Sequence, residues 1–341
     1  MQVKINTRAE KADMQDLFGI FFEDLNHAAD GGLYAELIRN RAFEFCSVDN
    51  PDYHGLTAWE KIEKGGKTEL HVEKEHGLFP ENPHYLVMEI LEEGEDIGVC
   101  NHGFGPGIFY EKRAHYDFSC YARKERGDCD KLVVSLRSGT GEIYTSQTID
   151  ITEKWEKYQL TFQAPCDDRQ GRLAVTAKGS GCVELDFVSL FPVHTYKSRK
   201  NGLRRDLAQL LEEMHPRFLR FPGGCLVHGG SLHAGDRDSL YRWKNTIGPV
   251  ENRPACRNNW GYNQTMGLGY YEYFLLCEDL GAKPVPVLPG GYDPHTHEAA
   301  VGDELKDYVQ DALDLIEFAN GDVESYWGSR RAAMGHPKPF H

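Results

Sequence analysis

The chain has 341 residues, 40% of them hydrophobic and 27% charged, enough to bury a sizeable core and to fill about two domains of ordinary size. Lys and Arg number 38 against 53 for Asp and Glu, a formal net charge of −15, which excludes a surface built to track phosphates and points to a neutral ligand rather than nucleic acid. No stretch approaches the ~20 apolar residues of a membrane span, and the polar start from Met1 to Asp16 has no apolar leader core.

In chain order, the apolar run Phe18 to Phe22 breaks into Glu23-Asp24-Leu25-Asn26-His27, the profile of a buried strand that delivers polar groups at its end. Leu33 to Ile38 predicts a short helix. From about Pro51 to Pro192 the texture turns β-rich. Runs at Tyr85 to Ile90, Phe118 to Ala122, Leu132 to Leu136, Tyr158 to Phe162, Arg172 to Ala177 and Val183 to Leu190 are separated by Gly, Asp and Pro, as in a β-sandwich or jelly roll. From Asn201 the period becomes helical, with Leu203, Leu207, Leu210, Leu211 and Met214 on one face, until Pro216 stops it before the strand Phe218 to Phe221. The unit then repeats: a helix from Leu268 to Leu280 ended by Gly281, a strand from Pro284 to Leu288, and a helix carrying Leu305, Tyr308, Val309, Ala312, Leu313, Ile316 and Ala319 on one face.

Strand and helix alternate here as in βαβ units around a parallel sheet, and each strand runs into a polar or aromatic loop: Glu23 to His27, Pro222 to Gly230, Pro289 to His297. In a (β/α)₈ barrel the chemistry sits on such strand ends; an open doubly wound sheet is the other architecture with this pattern. The expected fold is α/β plus all-β. It comprises about the first three strands of a TIM barrel, with residues 1–50 holding the first strand and its loop, residues 51–195 an inserted or appended carbohydrate-binding-type β-sandwich, and residues 196–341 the barrel's continuation.

The polar start and the lack of a membrane span make a cytoplasmic location the expectation, and nine cysteines that stand singly, with no Cys-x-x-Cys pair and an odd one over, favour reduced thiols. The sequon Asn263-Gln264-Thr265 is then uninformative, since glycosylation would require secretion.

Several segments carry a family resemblance. Gly19-Ile20-Phe21-Phe22-Glu23-Asp24-Leu25-Asn26-His27, Gly31-Gly32-Leu33-Tyr34-Ala35-Glu36-Leu37 and Asn40-Arg41-Ala42-Phe43-Glu44 come first. Arg220-Phe221-Pro222-Gly223-Gly224-Cys225, Arg242-Trp243-Lys244-Asn245-Thr246-Ile247-Gly248-Pro249, Trp260-Gly261-Tyr262 and Glu278-Asp279-Leu280-Gly281-Ala282 follow in the same order. Together they resemble the family-51 glycoside hydrolases, the α-L-arabinofuranosidases. The resemblance implies retaining hydrolysis of terminal non-reducing α-L-arabinofuranosyl groups in arabinan, arabinoxylan or small arabinosides. It also implies no cofactor and no metal, an arabinose-containing oligosaccharide or polysaccharide as partner, no membrane partner, and full-length relatives that can be homo-oligomeric. Retention takes two carboxyl groups, one protonating the leaving oxygen and one attacking the anomeric carbon. In the family these are a glutamate in a Gly-Asn-Glu motif ending the fourth barrel strand and another ending the seventh. The chain contains no Asn-Glu dipeptide, so both are expected beyond His341, and these 341 residues by themselves are expected to be catalytically inactive.

Among individual residues, Glu23 matches a family glutamate that accepts hydroxyls of the bound arabinose, where a surface or capping role is the plainer alternative. Phe21 matches an aromatic lining that pocket and fits barrel core equally. Arg220 matches a position from which a guanidinium holds neighbouring carboxylates in geometry, and Gly223-Gly224 would let the turn approach a sugar closely. Cys225 matches a cysteine of the sugar subsite, though a lone thiol is ordinarily a small buried hydrophobe. Trp260 matches an aromatic that covers the apolar side of a furanose, against core packing as its default; Asn258 and Asn259 beside it are both candidates for reaching the sugar. Many relatives carry Glu where this chain has His228. Asp293, His295 and His297 lack a fixed ligand geometry and read as solvated loop or subsite rim rather than a metal centre. The alternative function is a non-catalytic carbohydrate-binding protein using the β-sandwich and the remnant pocket, its incomplete barrel leaving an open edge and an uncovered apolar face.

Overall fold

The computed structural model describes residues 2, 4, 15–228, 241–294 and 296–340; His295, His341 and the end of the loop expected at 222–230 lie outside the described residues. After β1 (Ile20–Phe21) come eleven strands: β2 (Trp59–Lys64), β3 (Lys67–Glu73), β4 (Tyr85–Glu92), β5 (Asp96–Asn101), β6 (Ile108–Tyr110), β7 (His115–Gly127), β8 (Lys131–Arg137), β9 (Ile143–Asp150), β10 (Glu156–Gln163), β11 (Asp168–Lys178) and β12 (Gly181–Pro192). The rest of the chain alternates: α1 (Arg205–Glu213), β13 (Phe218–Phe221), a hairpin of β14 (Cys256–Asn258) and β15 (Tyr262–Gln264), α2 (Tyr270–Leu280), β16 (Lys283–Pro286), a small hairpin of β17 (Tyr292–Asp293) and β18 (Glu298–Ala299), α3 (Asp303–Asn320) and α4 (Tyr326–Ala333).

Two antiparallel sheets, ordered β10-β7-β12-β4-β3 and β2-β5-β11-β8-β9, share one apolar core. The cause is strict alternation: in β7 Tyr116, Phe118, Cys120 and Ala122 point inward, and Leu132, Val134 and Leu136 of β8 and Leu173, Val175 and Ala177 of β11 meet them from the other sheet. All six β-rich runs read from the sequence fall inside strands of these sheets. Lys67–Glu73 and Trp59–Lys64 also pair, although Glu and Lys dominate them, because one face of each is left in water.

The second core gathers a three-stranded parallel sheet, ordered β1-β13-β16, with α1, α2 and α3. Leu219 and Phe221 point to the helices, where Phe221 stacks on Tyr273 at 4.8 Å. The register aligns Phe21 with Arg220 and Arg220 with Val285 on the opposite face, which is open: Phe21 is 53% exposed and Val285 41%. The buried strand expected at Phe18 to Phe22 is therefore buried on one side only.

Two other expectations fail. Leu33 to Ile38 is not a helix; Tyr34 bridges Asp30 and Leu203, and the buried Glu36 carboxylate accepts the amides of Ile38 and Leu190 (3.0 and 2.9 Å) and pairs with Arg41 at 3.1 Å. Backbone partners are thus supplied by the neighbouring sheet rather than by a local ladder. On α3 the buried residues are Asp311, Leu315, Phe318 and Ala319, so of the expected face Ala319 is buried while Leu305, Val309, Leu313 and Ile316 face water. Asp311 draws the helix in through Arg242, Lys244 and the Trp243 indole, which donates to its carbonyl at 2.9 Å. On α1, likewise, Leu210 and Met214 of the expected apolar face are exposed.

Candidate functional site

Parallel pairing brings the C-terminal ends of β1, β13 and β16 to one rim of the sheet. Glu23 stands two residues past β1, beside the turn Pro222-Gly223-Gly224 that follows β13. Its Oε1 accepts the Leu226 amide at 3.2 Å. The approach is close enough that a Cβ on Gly223 would sit 2.8 Å from Glu23 Cγ. Here glycine serves the contact, leaving the carboxylate half-buried with one oxygen held and capacity left to accept hydroxyls. Two residues earlier, Phe21 lies under the Arg220 guanidinium, 4.4 Å from ring centroid to Cζ, a cation–π contact that fixes both on the open face.

Cys225 opens a 3₁₀ turn (Cys225–Val227), and its carbonyl accepts the Asn259 side-chain amide at 2.6 Å. That bond ties the β13 turn to the tip of the β14–β15 hairpin, where Trp260 is 42% exposed. The two asparagines left open by the sequence separate here. Asn258 is buried, donating to the Asp24 carbonyl at 3.0 Å and accepting the Trp260 amide at 2.6 Å, whereas Asn259 is at the surface. Phe21, Glu23, Arg220 and Cys225 are thereby brought to one rim, with Trp260 reached through the Asn259 bridge.

Sequence reading passed over Asp24, the residue that anchors this rim from beneath. Its Oδ1 accepts Ala29 N (3.0 Å) and the Tyr262 hydroxyl (3.1 Å), and its Oδ2 accepts Gln264 Nε2 (3.0 Å). Burial, with Asp30 nearby, pushes its carboxyl up from 3.8 to about 6. The Tyr262 ring lies 4.1 Å from that of His27, whose pKa burial lowers. Little local marks Asp24, since its side-chain partners Tyr262 and Gln264 are more than 230 residues away. The same network decides the sequon: Asn263 is buried and donates to Asp49, Gln264 holds Asp24 and Thr265 holds Asp30, so glycosylation there is sterically closed.

Beyond the β13 and β16 ends lies a polar cavity of about 390 Å³ between His228, Tyr292, Asp293, Glu298 and Glu304. His297 Nδ1 is 3.2 Å from the Tyr292 hydroxyl, and among the described residues no group of three or more potential metal ligands occurs.

The family model described as "Alpha-L-arabinofuranosidase 1 domain" matches residues 210–341. An extracellular exo-α-L-arabinofuranosidase of Streptomyces chartreusis is 45% identical over 99% of this chain and 40% of its own length. The α-L-arabinofuranosidase 1 of Arabidopsis thaliana is 37% identical over 100% of this chain and 50% of its own. In structure, the arabinose-bound α-L-arabinofuranosidase MgGH51 superposes with a TM-score of 0.85 at 32% identity, covering 95% of this chain and 52% of that one. The chain thus spans about half the length of the relatives it matches. The expectation of a cytoplasmic location is overturned by the Streptomyces relative, which is extracellular. That expectation rested on the polar start and the lack of a membrane span, with the scattered cysteines in agreement. Cys120, Cys129, Cys182, Cys256 and Cys277 are buried core fillers, and such thiols carry no information about compartment.

Proposed function

We propose, for a chain that belongs by sequence and by fold to the α-L-arabinofuranosidases, that these 341 residues form the arabinose-holding side of a glycosidase site. The activity of the whole is then hydrolysis of terminal α-L-arabinofuranosides with retention. The observation that carries the reading is the Glu23 carboxylate, held at one oxygen by the Leu226 amide against Gly223 at the rim of the parallel sheet. In this reading Glu23 accepts sugar hydroxyls, Phe21 and Trp260 offer apolar faces, Arg220 keeps Phe21 in place, and Cys225 borders the subsite. The Asp24 network holds the loop that presents Glu23.

The same reading takes β1, β13 and β16 as the opening strands of a (β/α)₈ barrel, since they are parallel, lie side by side in the sheet in the order in which they occur along the chain, and pack against helices on one face. It takes residues 51–195 as a jelly-roll domain inserted between the first strand and the next helix. The open Phe21 and Val285 face and the exposed side of α3 suit further β/α units of the kind a closed barrel needs.

The proton donor and nucleophile that the resemblance assigns have no counterpart motif here, so turnover of 4-nitrophenyl α-L-arabinofuranoside by this chain is expected to be absent, while sugar binding is not. Saturation-transfer NMR with L-arabinose tests the cradle: transfer is expected with the unaltered chain and lost in Glu23→Gln. Transfer of undiminished strength in Glu23→Gln refutes the assignment.

A further inference from the structure

The outer face of the β2-β5-β11-β8-β9 sheet forms a groove of about 710 Å³, the obvious place to look for a glycan. Its floor is Cys100, Val133 and Thr176, its walls are charged, with Arg137 tied to Asp96 in a bidentate pair, and no aromatic side chain lines it. The C–H face of a sugar ring stacks best on an aromatic ring, and this groove has none. The exposed rings lie elsewhere. The loop Gly103-Phe104-Gly105-Pro106-Gly107 leads into β6, where Phe109 points outward and is 51% exposed. Both rings face a cavity of about 490 Å³ that is closed on its far side by the start of α1.

We propose that this cavity is a second glycan-binding site, taking a neutral pentose oligosaccharide with Phe104 and Phe109 as its stacking walls; the choice of ligand class rests on the function proposed above. Three features argue for it. The volume falls in the ordinary range for small-molecule sites, and the lining is apolar at the floor, through Ile108 and Pro192, and polar at the rim. The rim carries Arg204 and Arg205 against Asp206 and Glu111, with Arg204 already engaged by Asp206 at 2.6 Å, so the charges balance and favour a neutral ligand over an anion. One wall is fixed before a ligand arrives: Phe104 packs on Gly31, where a Cβ would come within 2.5 Å of its ring, and its centroid is 6.0 Å from that of His27. Gly31 adopts φ of +85°, which also favours glycine. Preorganised rings lose little freedom on binding. Since His27 ends the segment that begins at Glu23, a polymer gripped in this cavity lies alongside the rim that holds its terminal arabinose.

The test is affinity electrophoresis of the full chain through gels cast with soluble arabinoxylan, beside Phe104→Ala, Phe109→Ala and Glu23→Gln. Retardation of the unaltered chain is expected, weakened about three- to tenfold by loss of either ring and retained in Glu23→Gln. Because Phe104 also packs on Gly31, Phe109→Ala is the variant that removes a wall without touching the fold. No retardation of the unaltered chain, or unchanged retardation in Phe109→Ala, overturns the proposal. Neither outcome bears on the Glu23 cradle, which the arabinose NMR reads separately.

Discussion

Replacing Asp24 by Asn should stabilise the protein, and by more at neutral pH than in acid. The carboxylate is 2% exposed, and burial raises its pKa from 3.8 to about 6. Between those values the folded protein binds a proton that the unfolded chain has released, so this group's contribution falls as pH rises through the window. At 1.36 kcal/mol per tenfold change in proton affinity the full penalty is roughly 3 kcal/mol, of which about 2 kcal/mol develops between pH 4.5 and 7.5. Asparagine keeps an oxygen for the Ala29 amide and the Tyr262 hydroxyl, and Gln264 can turn its own amide to accept from the new donor. Urea denaturation of the unaltered chain and of Asp24→Asn at both pH values gives the difference directly, and taking a difference removes the other carboxylates that titrate in the same range. The stability gap should widen by about 2 kcal/mol from the lower pH to the higher. A gap that is constant with pH, or that narrows, refutes the assignment of a strained, buried charge to this position.

Gly223→Ala should drive the Glu23 side chain off its seat and weaken arabinose binding by about tenfold or more with a modest change in urea midpoint, a separation that NMR titration and denaturation together establish. Arg253 is 4% exposed and gives both terminal nitrogens to Glu272 and to the carbonyls of Gly248, Met266 and Gly267; Arg253→Ala leaves Glu272 without its partner and should cost about 3–5 kcal/mol in denaturant unfolding.

The elements that could be read from the sequence are those whose pattern repeats over a few residues. Alternation in Phe118 to Ala122 reflects a strand with one face in the core and the other half-exposed, and Leu132, Val134 and Leu136 turn inward likewise, although Ser135 on the other face of β8 is buried too. Gly281 marks the end of α2 because its φ of +64° suits glycine in the turn that closes a helix. Phe21 and Arg220 were legible as a site pair only through a resemblance, since 199 positions separate them by number; parallel pairing makes them neighbours. Leu33 to Ile38 misled because its partners come from the neighbouring sheet, and the apolar side of α3 for a different reason. Periodicity states which residues share a face and is silent on what lies against that face. Charged Asp311, absent from any hydrophobic tally, fixes the side by which α3 docks.

By itself, then, the sequence determined the class of the strongly patterned segments, the break between a β-rich stretch and alternating strand and helix, and the strand ends on which a site would lie, because these follow from side-chain spacing and turn chemistry along the chain. Only the tertiary structure decided that Glu23 rests on Gly223, that Asp24 is the buried anchor beneath it, and which apolar faces stay in water. Each of those depends on an electrostatic or van der Waals contact between distant positions, and such contacts fall off within a few ångströms in space while leaving no period in the sequence.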